Sequence, residues 1–325
     1  MKKNALRKLR ANFLRYLLLA IGTVVCTLPM IYMISTSLRP NGALYEYPPR
    51  FFPKWEALTL ENYQYILSQS KFYLNFLNSV FVSLSSVVLA ALVSSAMAFV
   101  MGKFHFRGKK LLFGFIILTM IIPGTTMIVP QFELATRLGL VNKLAGLIPF
   151  YVAWVIPFST FMIKGFMEGI PDEITEATYI DGASVMTVYG KIALPLAAPA
   201  IASVSIFNFL TAWEEYPWAN TVINDTDLRT LPIAIAGFFG QHQFTQWGYV
   251  FAMSVLTLIP VVIVSPADTM LISDAADERR RYLNGFISQL DRAYLQALVR
   301  YNAVLGERNR LLKISRDEQM LCIYD

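Results

Sequence analysis

Residues 73–101 read YLNFLNSVFVSLSSVVLAALVSSAMAFVM, without a single Asp, Glu, Lys or Arg. That run is longer than the roughly 20 apolar residues a helix needs to cross a hydrocarbon core of about 30 Å. Helix is the conformation it must take there, because lipid offers no partner to backbone N–H and C=O groups. The run is crowded with small residues, namely Ser83, Ser85, Ser86, Ala90, Ala91, Ser94, Ser95, Ala96 and Ala98. Small side chains let a neighbouring helix approach closely, and the same hydroxyls could wall a polar cavity.

Five more runs of this kind flank it: Tyr16–Ser35, Leu111–Gln131, Leu144–Ile163, Ile192–Trp213 and Trp247–Val264. The last is the shortest and lies near the lower limit for a span. The pattern predicts an all-α polytopic membrane protein with six transmembrane helices. Composition agrees, since 55% of the 325 residues are hydrophobic and only 15% are charged, against roughly 25% charge in soluble domains. The basic and then apolar N-terminus is too long in its apolar part, and lacks a small-residue cleavage site, for a signal peptide; it reads as an uncleaved first span.

Lysines and arginines set the expected orientation. Lys2, Lys3, Arg7, Lys8 and Arg10 precede the first span, and Lys103, Arg107, Lys109 and Lys110 fill the short loop after the second. The positive-inside rule then places the N-terminus, the 102–110 loop, the 164–191 segment and everything after Val264 in the cytoplasm. The 39–71 segment falls outside. It carries Tyr45, Tyr47, Pro48, Pro49, Phe51, Phe52, Pro53 and Trp55, which suit an interfacial aromatic belt or a contact with a partner.

Chemistry-bearing clusters are scarce. Cys26 and Cys322 stand far apart, and His105 and His242 are the only histidines. No disulfide framework, metal site, cofactor site or catalytic constellation is expected. One hydrophilic stretch does stand out between the fourth and fifth spans, residues 171–195, PDEITEATYIDGASVMTVYGKIALP. It reads as two short helices hinged at Gly182, the second stopped by Pro195. Such a polar knob has little to contribute to packing within the membrane, so its natural counterpart is a soluble partner.

This stretch resembles the coupling loop of ATP-binding-cassette importer permeases. The family pattern is Glu-Ala-Ala, three residues, Gly, nine residues, Ile, one residue, Leu-Pro. Here Glu176, Ala177, Gly182, Ile192, Leu194 and Pro195 match it at the family spacing, with Thr178 in place of the second Ala; Asp181 and Ala183 flank the glycine. The resemblance implies that these residues dock into a cytoplasmic ATPase dimer, which hydrolyses ATP on behalf of a subunit that is not itself an enzyme. Phe52-Pro-Lys-Trp, Leu58-Thr-Leu-Glu-Asn-Tyr63, Asn78-Ser79, Ala98 through Arg107-Gly108, Ile122-Pro123 to Pro130, Leu138-Gly-Leu-Val-Asn142 and Thr211-Ala-Trp-Glu-Glu215 narrow the likeness to the maltose-permease-like, MetI-like carbohydrate importers. That family implies a second homologous permease subunit, an extracytoplasmic solute-binding protein and a sugar substrate, with membrane lipid around the spans.

The usual family pattern has Asn where Glu214 stands, which leaves a non-sugar solute as an alternative. Asn78, Asn208, Trp213, Glu214 and Glu215 are the substrate-path candidates. Carboxylates near a span are functional candidates by default, although Glu214 and Glu215 fall close to the membrane edge where water reaches them.

At Ser265 the composition changes. Residues 265–325 hold no span, and arginines recur at 279, 280, 281, 292, 300, 308, 310 and 316. Two amphipathic helices are expected, one carrying Leu283, Phe286, Ile287 and Leu290 and the other Tyr294, Leu298, Tyr301 and Leu305. The segment resembles an internal part of the RecF recombinational repair ATPases. Yet no G-x-x-x-x-G-K-[ST] loop occurs anywhere in the chain, so no nucleotide role follows. The expected division is a permease domain over 1–264 and a fused RecF-like fragment over 265–325. A membrane-anchored DNA-repair accessory is the competing reading, but six spans exceed what an anchor requires, and nucleic acid is not an expected partner. An intramembrane enzyme would need paired catalytic groups that the spans lack.

Overall fold

The computed structural model describes residues 2–41, 51–52, 55–68, 70–239 and 246–263, all within the first of two units into which the chain divides, Met1–Ser265. The tail, with the two amphipathic helices expected there, lies outside the described residues, as do residues 42–50 of the aromatic segment.

The regular secondary structure of the described residues is all helical. The elements are α1 (Lys2–Ser37), α2 (Glu61–Ser68), α3 (Phe72–Lys103), α4 (Lys109–Thr119), α5 (Ile128–Arg137), α6 (Leu144–Glu168), α7 (Asp172–Ile180), α8 (Val185–Val188), α9 (Leu194–Trp213), α10 (Pro217–Val222), α11 (Leu231–Ala236) and α12 (Trp247–Ile263). Four helical segments are long and apolar enough to cross a membrane: Tyr16–Ser37, Phe72–Lys103, Leu144–Glu168 and Val185–Trp213. A bent pair, α4 with the segment Gly124–Arg137, would make a fifth. The last expected span corresponds to α12, an apolar helix of 17 residues.

Two expectations need correction. The run Leu111–Gln131 is not one straight helix, because α4 ends at Thr119 and the chain turns by 91° before Gly124–Arg137 continues. Pro123 is the cause. It cannot donate an amide hydrogen, and it disfavours helical geometry at Ile122. The last turn of α4 accordingly tightens to three-residue spacing, with Ile121 N bonded to Leu118 O at 3.1 Å. Pro195, in contrast, does not stop a helix. The helix runs on from Val185 to Trp213. Its hydrogen bonding widens to a π-turn over Tyr189–Ala193, and Pro195 falls in the first turn of α9. The π-turn accommodates the missing N–H, the Leu194 amide pairing with Tyr189 O.

The centre is α3, which packs along α6 and α9. Its small residues divide by face as close packing demands: Ser83, Ser86, Ala90, Ser94, Ser95 and Ala98 are buried, while Leu77, Leu84, Leu92 and Val100 point outward. At Gly102 the two helices come close, since a Cβ there would lie 2.9 Å from the Cβ of Met167 on α6. A second contact joins α1 to α12. Asn62 of α2 ties off the C-terminus of α1, its Nδ2 donating to Ser37 O at 2.8 Å and Arg39 O at 2.6 Å. The Ser37 carbonyl is among the groups a helix end leaves without internal partners.

Candidate functional site

The knob between α6 and α9 is built by two complementary caps. Asp172 and Glu173 occupy the first turn of α7, where carboxylates favour the positive end of the helix dipole. At the other end, Gly182 takes φ +83°. Gly182 N donates to Tyr179 O at 3.0 Å and Ala183 N to Thr178 O at 3.1 Å, which together form a Schellman closure that calls for glycine. Ser184 then caps α8 by accepting from Thr187 N at 3.2 Å. Thr178 turns its hydroxyl back to Ile174 O at 2.7 Å, so this substitution for alanine is satisfied within α7.

The second half of the knob is rooted in the helical core. Val188 and Ala193 are fully buried with Ala98, Phe99, Ile163, Met167 and Ala197, and Ala183 packs at their edge. Tyr189 hydrogen-bonds Ser95 of α3 at 2.8 Å. The first half is held by Lys103, whose buried ammonium donates to Ile170 O and to Asp172 Oδ1, the latter at 2.8 Å. Lys103 holds the Asp172 carboxyl below its ordinary range, first through that hydrogen bond and then through its charge, with a smaller pull from His105.

What remains exposed is apolar at the tip. Ile180 is 86% exposed and Met186 73%, and Ile174, Val185 and Tyr179 are open beside them. Of the motif residues, Glu176, Ala177, Asp181, Gly182 and Pro195 are exposed, while Ala183, Ile192 and Leu194 are half-buried. The tip residues were not singled out from the sequence. Their signal is an apolar residue on either side of the glycine turn, at positions that the motif leaves free.

At the other end of α9 the five substrate-path candidates separate. Asn78 donates from Nδ2 to Asp227 O at 2.8 Å and to Arg229 O at 3.0 Å, and the adjacent Ser79 accepts from Leu231 N at 2.8 Å. These bonds pin the 225–231 connection to α3. Asn208 is buried and pairs with Ser159 of α6 at 3.0 Å, beside a cavity of about 10 Å³.

Glu215 is committed to its neighbours. Its carboxylate accepts from Tyr151 Oη at 2.7 Å, Trp218 N at 2.7 Å and Ala219 N at 2.9 Å. It thereby satisfies the otherwise unpaired first amides of α10. Trp213 is buried, with its indole N–H directed to Thr257 O of α12 at 3.3 Å.

Only Trp213 and Glu214 among the five reach a sizeable cavity, about 630 Å³, between α1, α11, α12 and the end of α9. Tyr216, Phe239, Ser254 and Thr257 also line it. Reading the sequence passed over these four, although Ser254 and Thr257 are polar interruptions in an otherwise apolar helix.

Residues 90–271 match the family model described as a binding-protein-dependent transport system inner membrane component. The chain is 31% identical to the diacetylchitobiose uptake system permease protein of Streptomyces coelicolor, over 76% of this chain and 81% of that one. It is also 31% identical to the trehalose/maltose transport system permease protein of Thermococcus litoralis, over 79% and 93%. The fold resembles a chain from the crystal structure of a bacterial ABC transporter that imports the acidic polysaccharide alginate, with a TM-score of 0.68 and 23% identity over 79% of this chain and 94% of that one. The chain therefore belongs to the family of inner membrane components of binding-protein-dependent transport systems, and is a transport permease subunit that is not itself an enzyme.

Proposed function

We propose that the chain forms half of the path by which an ATP-binding-cassette importer carries a carbohydrate across the bacterial inner membrane. It would work beside a second homologous permease, above a cytoplasmic ATPase dimer, and receive sugar from an extracytoplasmic binding protein. The observation that carries the reading is the knob. It is capped at Gly182, rooted in the core by Val188 and Tyr189, and carries bare apolar side chains at its tip. A surface of that kind transmits force, because a push on the tip passes through α8 into the continuous helix Val185–Trp213. The relatives named for diacetylchitobiose and for trehalose and maltose support a sugar as cargo.

The topology that goes with this reading has six passes, the bent α4–α5 segment serving as the third and α12 as the sixth. The N-terminus, the Lys103–Lys110 loop and the knob face the cytoplasm, on the side where Lys103, Arg107, Lys109 and Lys110 gather. Glu176, Ala177, Asp181, Gly182, Ala183, Ile192, Leu194 and Pro195 form the coupling element, and the cavity at Glu214 belongs to the substrate path. Residues 1–264 make the permease domain. Residues 265–325 are a fused RecF-like fragment without nucleotide chemistry, a reading that rests on their sequence.

The test is Gly182→Val. A β-branched residue at φ +83° is strained by about 1–2 kcal/mol and misdirects the turn. Binding-protein-stimulated ATP hydrolysis of the assembled complex should fall severalfold while the membrane level of the subunit holds. Full stimulation at a normal level overturns the coupling role.

A further inference from the structure

The cavity at the end of α9 has an unusual balance of hydrogen-bonding groups. Among the described residues that line it, the one group of ordinary carboxylate or ammonium type is Glu214, and there is neither Lys nor Arg. The carboxylate has no hydrogen-bond or ion-pair partner among the described residues. Ser254 and Thr257, the two hydroxyl residues of α12 at the cavity, donate their protons to Val250 O at 2.7 Å and Met253 O at 2.7 Å. What each presents to the cavity is therefore the lone pairs of its oxygen. The indole N–H of Trp213, which could have donated, is directed to Thr257 O. Of the polar side chains among the described lining residues, only the Tyr216 hydroxyl is left as a donor.

Such a cavity is rich in acceptors and poor in donors. It rewards a ligand that brings its own hydrogen atoms and penalises one that brings negative charge. Its volume of about 630 Å³ lies within the range usual for small-molecule sites. Tyr216 and Phe239, 38% and 48% exposed, offer aromatic surface to the apolar face of a sugar ring.

We infer that Glu214 selects the charge of the cargo: the path accepts saccharides that are neutral or carry amino groups, and rejects uronates and other anionic sugars. The inference rests on the reading of this cavity as part of the carbohydrate path. The sugar hydroxyls supply the donors that Glu214, Ser254 and Thr257 lack, and an ammonium group would pair with Glu214 directly. A uronate meets a like charge that no Lys or Arg among the described lining residues offsets, and like-charge juxtaposition is how protein sites turn away wrong partners. The carboxylate at 214 thus opposes the acidic cargo named for the solved alginate importer, whose fold this chain shares.

The test uses the complete importer, purified with its second permease and ATPase. Binding is followed by tryptophan fluorescence with di- to tetrasaccharides of three kinds: neutral malto- and N-acetylchito-oligosaccharides, glucosamine oligomers, and galacturonate oligomers. The wild type should bind the uronates at least tenfold more weakly than the best neutral or amino saccharide. Glu214→Gln should close most of that gap by strengthening uronate binding, and Glu214→Lys should reverse the preference between glucosamine and galacturonate oligomers. Equal binding of uronates by the wild type, or an unchanged ratio in both variants, overturns charge selection while leaving the carbohydrate reading intact. Failure of all three kinds to bind, in an importer whose ATPase is still stimulated by its binding protein, overturns the carbohydrate reading and this inference with it.

Discussion

The two ends of α9 are finished in opposite ways. At Trp213–Leu231 the chain closes on itself: Glu215 takes three hydrogen bonds, Asn78 and Ser79 reach across from α3 to hold 227–231, and Asn142 Oδ1 accepts from Asn224 N and Asp225 N at 3.0 and 2.9 Å. At residues 171–195 the backbone is equally well capped, yet apolar side chains are left bare at the tip. A polar group that is satisfied internally resists rearrangement, because losing its partner leaves it unpaired. An exposed apolar side chain contributes little until something covers it. The closed end therefore serves as scaffold, with Glu214 as the exception that faces the cavity, and the knob serves as an interface awaiting its partner.

That contrast breaks most easily at the tip. Ile180→Glu combined with Met186→Glu should reduce binding-protein-stimulated ATP hydrolysis on the order of a hundredfold, because two apolar side chains contributing roughly 1.5–3 kcal/mol each on burial are lost from the interface. The membrane level of the subunit should stay normal, since neither side chain supports the fold. A folding defect with intact coupling would mean that the tip is scaffold after all.

At the closed end the consequences should be reversed. Glu215→Ala leaves the Tyr151 hydroxyl and two amides of α10 without their acceptor, and should destabilise the solubilised subunit by about 3 kcal/mol. The midpoint of thermal unfolding in detergent measures this. Glu215→Gln keeps one acceptor oxygen and should lose less. An unchanged midpoint in both variants would remove Glu215 from the scaffold and return it to the substrate path.

The smallest effect should come from the tie between the knob and α3. The Asp172 carboxyl is held below its ordinary range by Lys103, so its contribution is present in full above about pH 4, the unfolded value, and disappears as the pH falls through the lower folded value. Asp172→Asn should slightly lower amide-exchange protection of residues 172–180 at pH 7, and the two proteins should converge once the pH has fallen below the folded value. No difference at pH 7 would show that Asp172 is idle and that Ile170 O alone holds the lysine.

Proline shows how much of this could be read from sequence. Pro29, Pro149, Pro157, Pro199 and Pro260 all lie inside helices that continue past them, and Pro195 sits in the first turn of α9, whereas Pro123 coincides with a 91° break. In water a proline inside a helix is a reliable boundary. Between packed helices or in lipid, neighbours and local π or 3₁₀ adjustments re-satisfy the freed carbonyl, so the residue alone does not announce whether the chain turns. The adjacent pair Glu214 and Glu215 teaches the same lesson for the site: identical in type and neighbours in sequence, one lines a cavity and the other caps a helix.

The apolar runs that became α1, α3, α6, α9 and α12 were legible from sequence alone, as was the glycine turn of the knob, because both follow from local physics. Hydrocarbon offers the backbone no partner but itself, and a Schellman turn depends on a few consecutive residues. The fate of the polar side chains was decided by tertiary structure. Asn78 finds its carbonyls 149 and 151 residues further along the chain, and Glu215 finds Tyr151 64 residues back. Whether a buried amide or carboxylate is committed or left open to a ligand depends on groups that only folding brings within about 3 Å.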